Sequence, residues 1–176
     1  SNGATATNAT DFGGWGVAVK ADQVELEPGL WSLDNFGQVL VATVANGKTF
    51  TWNAGATTPT ANRASTSTSS FSTSNNPTAS RATLISPTTR HLIHFGTETT
   101  IGTASTQDDM FIRFADQEDI NTFIPSAVNA AGTQRLQDGT KIVGAIKAKE
   151  TILIWTDTAL YTMKFIGAPF TFGFEQ

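Results

Sequence analysis

Three short apolar cores recur along this chain: VLVA at 39–42, LIHF at 92–95 and ILIW at 152–155, spaced by 53 and then 60 residues. Each is followed by a second strand-like run (TFTWN, MFIRFAD and ALYTMKF), and the last two are also preceded by one, ATLIS and KIVGAIKA. Short antiparallel strands in units of ~40–60 residues are the pattern of a β-propeller blade. A single sheet of this kind cannot bury both faces, so such units stack on their neighbours. The expected fold is therefore all-β, built of antiparallel four-stranded units arranged as propeller-like blades, with a β-sandwich as the alternative. The units are expected as a partial blade at 29–53 and blades at 81–136 and 137–176. An N-terminal segment over 1–28 and a Ser/Thr-rich loop or linker at 54–80 complete the organisation. A closed ring needs about 4–8 blades, and the sequence stops at PFTFGFEQ inside a strand-like run. The expectation is a partial propeller, truncated at its C-terminus.

Strands are predicted at 38–45, 48–53, 82–86, 91–96, 110–115, 121–125, 141–149, 151–156, 159–166 and 170–175. The first two flank Asn46-Gly47, the strongest short hairpin signal. Helical periodicity is nearly absent, and its best stretches, 116–122 and 126–131, are too short to stand alone in water. Residues 54–80 are rich in Ser, Thr, Ala, Asn and Pro, a composition that offers little apolar surface to offset ordering entropy. Residues 97–109 are a second polar excursion.

Charged residues make up only 15% of the chain and the net charge is −4. No overall positive field draws in nucleic acid or an anionic membrane. With no cysteine, disulfides, thiol catalysis and zinc–thiolate sites are excluded. No apolar run reaches the roughly 18 residues of a membrane-spanning helix.

Candidate chemical residues are sparse. His91 and His94 stand three apart, which on a strand puts them on opposite faces and prevents a shared metal. One is expected half-buried and the other exposed. The acidic groups Asp108-Asp109 and 116–119 lack the spacing of a calcium loop. SLDNFG at 32–37 approaches the Asp-box of sialidase-type propellers, but its Gly falls one residue late and no Trp follows at the required offset. Turn chemistry fits better: Asp34 and Asn35 bonding their own backbone, with Gly37 supplying a permissive φ. DFGGWG at 11–16 reads as a turn anchored by Trp15. The arginines are scattered, and neither a nucleophile elbow nor a phosphate loop is present. No catalytic, metal or cofactor-binding residue is assigned, and the chain is not expected to be an enzyme. Asp157, in the TDT corner after ILIW, is paired with Asp116, after FIRFA, as a repeated turn cap. Trp155 and Phe165 are expected in the packing between blades. The structural candidates are thus Asp34, Asn35, Gly37, Asn46, Gly47, Asp116, Trp155, Asp157 and Phe165.

Four segments in order also carry a resemblance: 31–55 (WSLDNFGQVLVATVANGKTFTWNAG), 85–98 (ISPTTRHLIHFGTE), 111–136 and 142–176. Together they resemble tailed-bacteriophage virion proteins akin to the tail tubular protein B, or nozzle, of short-tailed phages. The likeness runs from about Trp15 to Gln176 and is weakest in the Ser/Thr-rich loop. Gln38 departs from the acidic residue expected after Asn-Phe-Gly, and TVANGKTF replaces a hairpin richer in Pro, Arg and Gly. The resemblance implies a structural role in the virion tail, in assembly and in the DNA ejection channel. It further implies a propeller-like body in a homo-oligomeric ring, a hexamer in that family, contacting adaptor and fibres. DNA would pass through without sequence-specific binding. Two alternatives remain open: a carbohydrate-binding or glycan-cleaving propeller module, and a secreted bacterial adhesin or generic β-repeat module.

Overall fold

The structure, a computed structural model, describes residues 30–53, 55 and 75–176. The segment expected over 1–28, the DFGGWG turn and most of the 54–80 loop lie outside the described residues. The described residues form three antiparallel sheets and a single 3₁₀ turn, Ala104–Thr106. The first sheet is β1 (Trp31–Phe36), β2 (Val39–Val44) and β3 (Thr49–Asn53). The middle sheet is β4 (Ser80–Ile85), β5 (Leu92–Thr97), β6 (Phe111–Phe114) and β7 (Gly132–Arg135). The last sheet is β8 (Ile142–Lys147), β9 (Thr151–Thr156), β10 (Leu160–Gly167) and β11 (Thr171–Glu175). In each sheet, strands adjacent in sequence are neighbours in space. The three apolar cores that opened the sequence reading, on β2, β5 and β9, are the second strand of each meander.

Two local expectations are corrected. Asp34 and Asn35 lie within β1, opposite Val41 and Leu40, rather than in a turn. The turn follows them: Phe36 pairs with Val39 across Gly37-Gln38, and Gly37 takes the left-handed φ of +63° that such a tight connection demands. Residues 121–125 are not a strand; the fourth strand of the middle sheet is the polar stretch Gly132–Arg135. Residues 116–122 and 126–131 form no helix. There Asp119 accepts hydrogen bonds from Asn121 N and Thr122 Oγ1, and Asn129 bonds back to Ser126 N and Ile124 O. Short polar side chains that capture nearby backbone in this way compete with helix formation.

The middle sheet is covered on both faces at β5, every residue of which is buried. Alternation along that strand divides its core. Leu92 packs with Ile85, Val41, Ala115, Ile120 and Phe123 against the first sheet. Ile93 and Phe95 pack with Met110, Ile112 and Phe114 against Ile152, Ile154, Tyr161, Met163 and Phe172 of the last. A two-sided sheet explains why LIHF reads as a continuous apolar run.

Candidate functional site

The three sheets meet along their first strands. Ser32 Oγ accepts a hydrogen bond from Thr83 N at 3.0 Å, and Asp34 Oδ2 accepts one from Ile85 N at 2.7 Å. Numbers rise together on the two strands, so β1 and β4 run in the same direction. At Thr83 and Ile85 the edge of β4 that faces away from β5 is therefore satisfied by side chains, while at Ser80 it bonds the backbone of Asn46 and Gly47. Buried backbone groups need such partners. Asp34 also receives Lys147 Nζ, from the end of β8, at 2.6 Å. One carboxylate thus ties the ends of β1, β4 and β8. The bond that Asp34 accepts from Asn35 N is local, as turn chemistry requires, but its other partners are 51 and 113 residues away.

The seam between the first and middle sheets is polar at its centre. Thr43 Oγ1 lies 2.7 Å from Thr49 Oγ1 and 2.8 Å from Thr83 Oγ1, and all three side chains are buried. His94 is fully buried nearby on the same face, 2.7 Å from Ser80 Oγ through Nδ1, with its ring edge-on to Phe123 at 5.0 Å. His91 lies on the opposite face, in the seam between middle and last sheets. Its Nδ1 shares a 2.7 Å hydrogen bond with Thr89 Oγ1, and its ring sits among Phe114, Phe165 and Phe172. The histidines occupy opposite faces, as their spacing requires, but neither is exposed: both are at 0%. Burial pushes His91 down to about 4, partly opposed by Asp116, and burial together with the Arg113 charge pushes His94 down to about 3. Neither Nε2 has a hydrogen-bond partner. Both rings are neutral packing elements at neutral pH. Ser80 and His94 form a Ser–His pair by distance, yet both are sealed from solvent and offer no route to a substrate.

A second buried polar unit holds the 97–109 excursion. Glu98 is fully buried; its carboxylate accepts from Thr78 N at 3.0 Å, Thr78 Oγ1, Gly102 N at 2.7 Å and Thr103 N at 3.3 Å. Arg113 caps the carbonyls of Glu98, Thr99 and Phe123. A buried carboxylate needs several hydrogen-bond donors, and here backbone amides provide most of them. Glu98 and Arg113 escaped the sequence reading. FIRFA alternates like a half-exposed strand, and only burial of both sheet faces places the arginine inside.

The remaining candidates fall at separate points. Asp116 Oδ1 accepts from Gln117 N and from Ala130 N, both at 2.8 Å. Asp157 accepts from Thr140 N at 2.7 Å and Thr140 Oγ1 at 2.5 Å, and these bonds hold its carboxyl below the usual range. Both cap backbone amides, but at different places in their sheets. Asp116 follows a third strand and Asp157 a second, so they are not repeat equivalents. Asn46 takes a φ of 58°, and Asn46 N and Gly47 O bond Ser80 of the middle sheet. Phe165 packs in the middle–last seam. Trp155, expected between blades, lies on the far face of the last sheet and is 40% exposed.

Among the described residues no group of three or more His, Asp or Glu could hold a metal ion, and no helix is long and apolar enough to cross a membrane. A shallow groove of about 310 Å³ opens between the outer edges of the middle and last sheets, lined by Phe114, Gln134, Ile166, Phe170, Phe172 and Phe174. The buried groups Glu98 and Arg113 are committed to internal bonds. No family model, curated protein or solved structure matches this chain.

Proposed function

We propose that this chain is a run of propeller-like blades in a structural protein of a bacteriophage tail, of the nozzle or tail-tube type. In that role it serves virion assembly and the passage of DNA during ejection. The observation that supports it most is the joining of three meanders through their first strands at Asp34, the side on which propeller blades converge. The phage assignment itself rests on the sequence resemblance over four ordered segments. A chain with net charge −4 suits a conduit, because tight DNA binding requires many Lys and Arg contacts to phosphate. Partners on this reading are other tail proteins, adaptor and fibres among them, and further copies of the protein. Electron microscopy of the full-length protein tests it: rings, or gold-labelled antibody at the tail base, are expected, and absence from purified virions overturns it.

The Phe-lined groove favours one second reading, a glycan-binding module, since sugars stack on exposed aromatic rings such as Phe170, 72% exposed. Saturable binding on a glycan array that Phe170→Ala abolishes would replace the structural reading with that one.

A further inference from the structure

The hairpin between β2 and β3 turns through Asn46-Gly47, a pair with a chemistry of its own. In an Asn-Gly pair the glycine amide can attack the asparagine side chain, because no Cβ shields it. Gly47 N would bond to Asn46 Cγ and give up its proton, and ammonia would leave. Water then opens the resulting five-membered succinimide at either carbonyl. One product is aspartate. The other is isoaspartate, whose main chain runs through the former side chain and is longer by a methylene. Asparagine counts among the thermolabile residues.

Both reacting groups are engaged in the folded hairpin. Gly47 N donates to Val44 O at 2.9 Å. Asn46 Oδ1 accepts from Gln107 Nε2 at 3.1 Å, and Gln107 Nε2 also donates to Gly96 O at 2.8 Å. Asn46 N donates to Ser80 O at 2.8 Å and Ser80 N donates to Gly47 O at 3.2 Å, so the backbone of the reacting pair is pinned to the middle sheet. Asn46 is itself exposed, so water and base reach it. Docking of the hairpin on β4 and on the 97–109 excursion, and not burial, is what holds the pair away from reaction.

We propose that Asn46 is a deamidation site gated by this docking: it converts only in molecules whose first sheet has opened from the middle sheet. Conversion to isoaspartate is also a trap. The longer main chain cannot offer Asn46 N and Gly47 O to Ser80 at their native spacing, so a converted hairpin does not dock again. The proposal rests on the contact between the first two sheets and is independent of the tail reading.

The test holds the full chain at mildly alkaline pH and follows conversion at Asn46 by mass-resolved peptide mapping, beside a free peptide of residues 42–51. The chain's other Asn-Gly pair, Asn2-Gly3, lies outside the described residues and maps to a separate peptide. Conversion in the folded chain is expected to be slower than in the peptide by on the order of 100-fold or more, the fraction of time spent open setting the rate. Thr83→Val, which loosens the first–middle seam, is expected to raise it by about 5–100-fold. Ile154→Val, in the other seam, should leave it within about twofold. Conversion as fast as in the peptide overturns the proposal, and so does a rate that Thr83→Val leaves unchanged. Equal acceleration by both variants also overturns it, since that makes unfolding of the whole chain the gate. If circular dichroism shows that Thr83→Val unfolds the chain, Ser32→Ala, which loses the bond to Thr83 N, takes its place. Converted molecules, separated by their added negative charge, should exchange the Ser80 amide faster than unconverted ones, and unchanged exchange would overturn the trap.

Discussion

The two seams of this molecule solve the same packing problem with different chemistry. Between the middle and last sheets, twelve buried side chains form an apolar cluster in which Phe114, Phe172 and the His91 ring meet edge to face. Between the first and middle sheets the apolar cluster has six buried members, and a chain of hydroxyls (Ser32, Thr83, Thr43 and Thr49) fills the remainder. An apolar seam is stabilised in proportion to the area removed from water and tolerates some sliding. A hydroxyl chain adds less free energy per contact but fixes position, because a displaced partner leaves a buried polar group unsatisfied. The comparison teaches that the last seam supplies most of the stability and the first seam most of the register.

The largest expected effect separates the two directly. Phe172→Ala, which empties the aromatic centre of the last seam, should lower unfolding free energy by about 3–5 kcal/mol. Urea denaturation followed by fluorescence measures this, and a loss below that of Thr83→Val would reverse the ranking of the seams.

Acid should act on both seams. His91 and His94 have folded pKa values of about 4 and about 3, below the 6.5 expected when unfolded. Between those values the unfolded chain binds protons that the folded chain refuses, so stability falls as pH drops below 6.5. The decline from His91 should level near pH 4, and that from His94 should continue lower. His91→Phe keeps an aromatic ring among Phe114, Phe165 and Phe172, and it should flatten the slope between pH 6.5 and 4. Urea midpoints across that range would show it, and an unchanged slope would assign the acid sensitivity elsewhere.

Thr83→Val preserves shape while removing the hydroxyl that Thr43 faces at 2.8 Å. A cost of about 1–3 kcal/mol is expected from the polar groups left behind. Amide exchange at the β1–β4 contact should rise with it, while exchange in β9 and β10 stays at wild-type values. The smallest effect belongs to Lys147→Ala at the Asp34 junction. That lysine's side chain is 34% exposed, so solvent screens the pair, and a loss of at most about 1 kcal/mol, fading with added salt, is expected.

Local pattern sufficed for much of the strand content. Runs such as ILIW and LIHF have the apolar, β-branched and aromatic character that suits a pleated, buried surface, and they lie in β9 and β5. Gly132–Arg135 escaped because a polar edge strand owes its place to backbone pairing with β6 and not to its own side chains. SLDNFG at 32–37 has the composition of a turn because Asp and Asn favour turns in isolation; in β1 Asp34 and Asn35 pair across to β2.

The candidate residues divide along the same line. Asp157 could be read as a cap from the Thr-Asp-Thr corner it occupies, because capping depends on nearby backbone. What the sequence by itself determined is the all-β character and the recurrence of a short antiparallel unit, both consequences of side-chain period and composition. Only the tertiary structure decided that Asp34 joins three strands, that both histidines are sealed and that Glu98 and Arg113 are internal. Each of these depends on which face of a sheet another sheet covers, and a strand's own alternation carries no record of its partner.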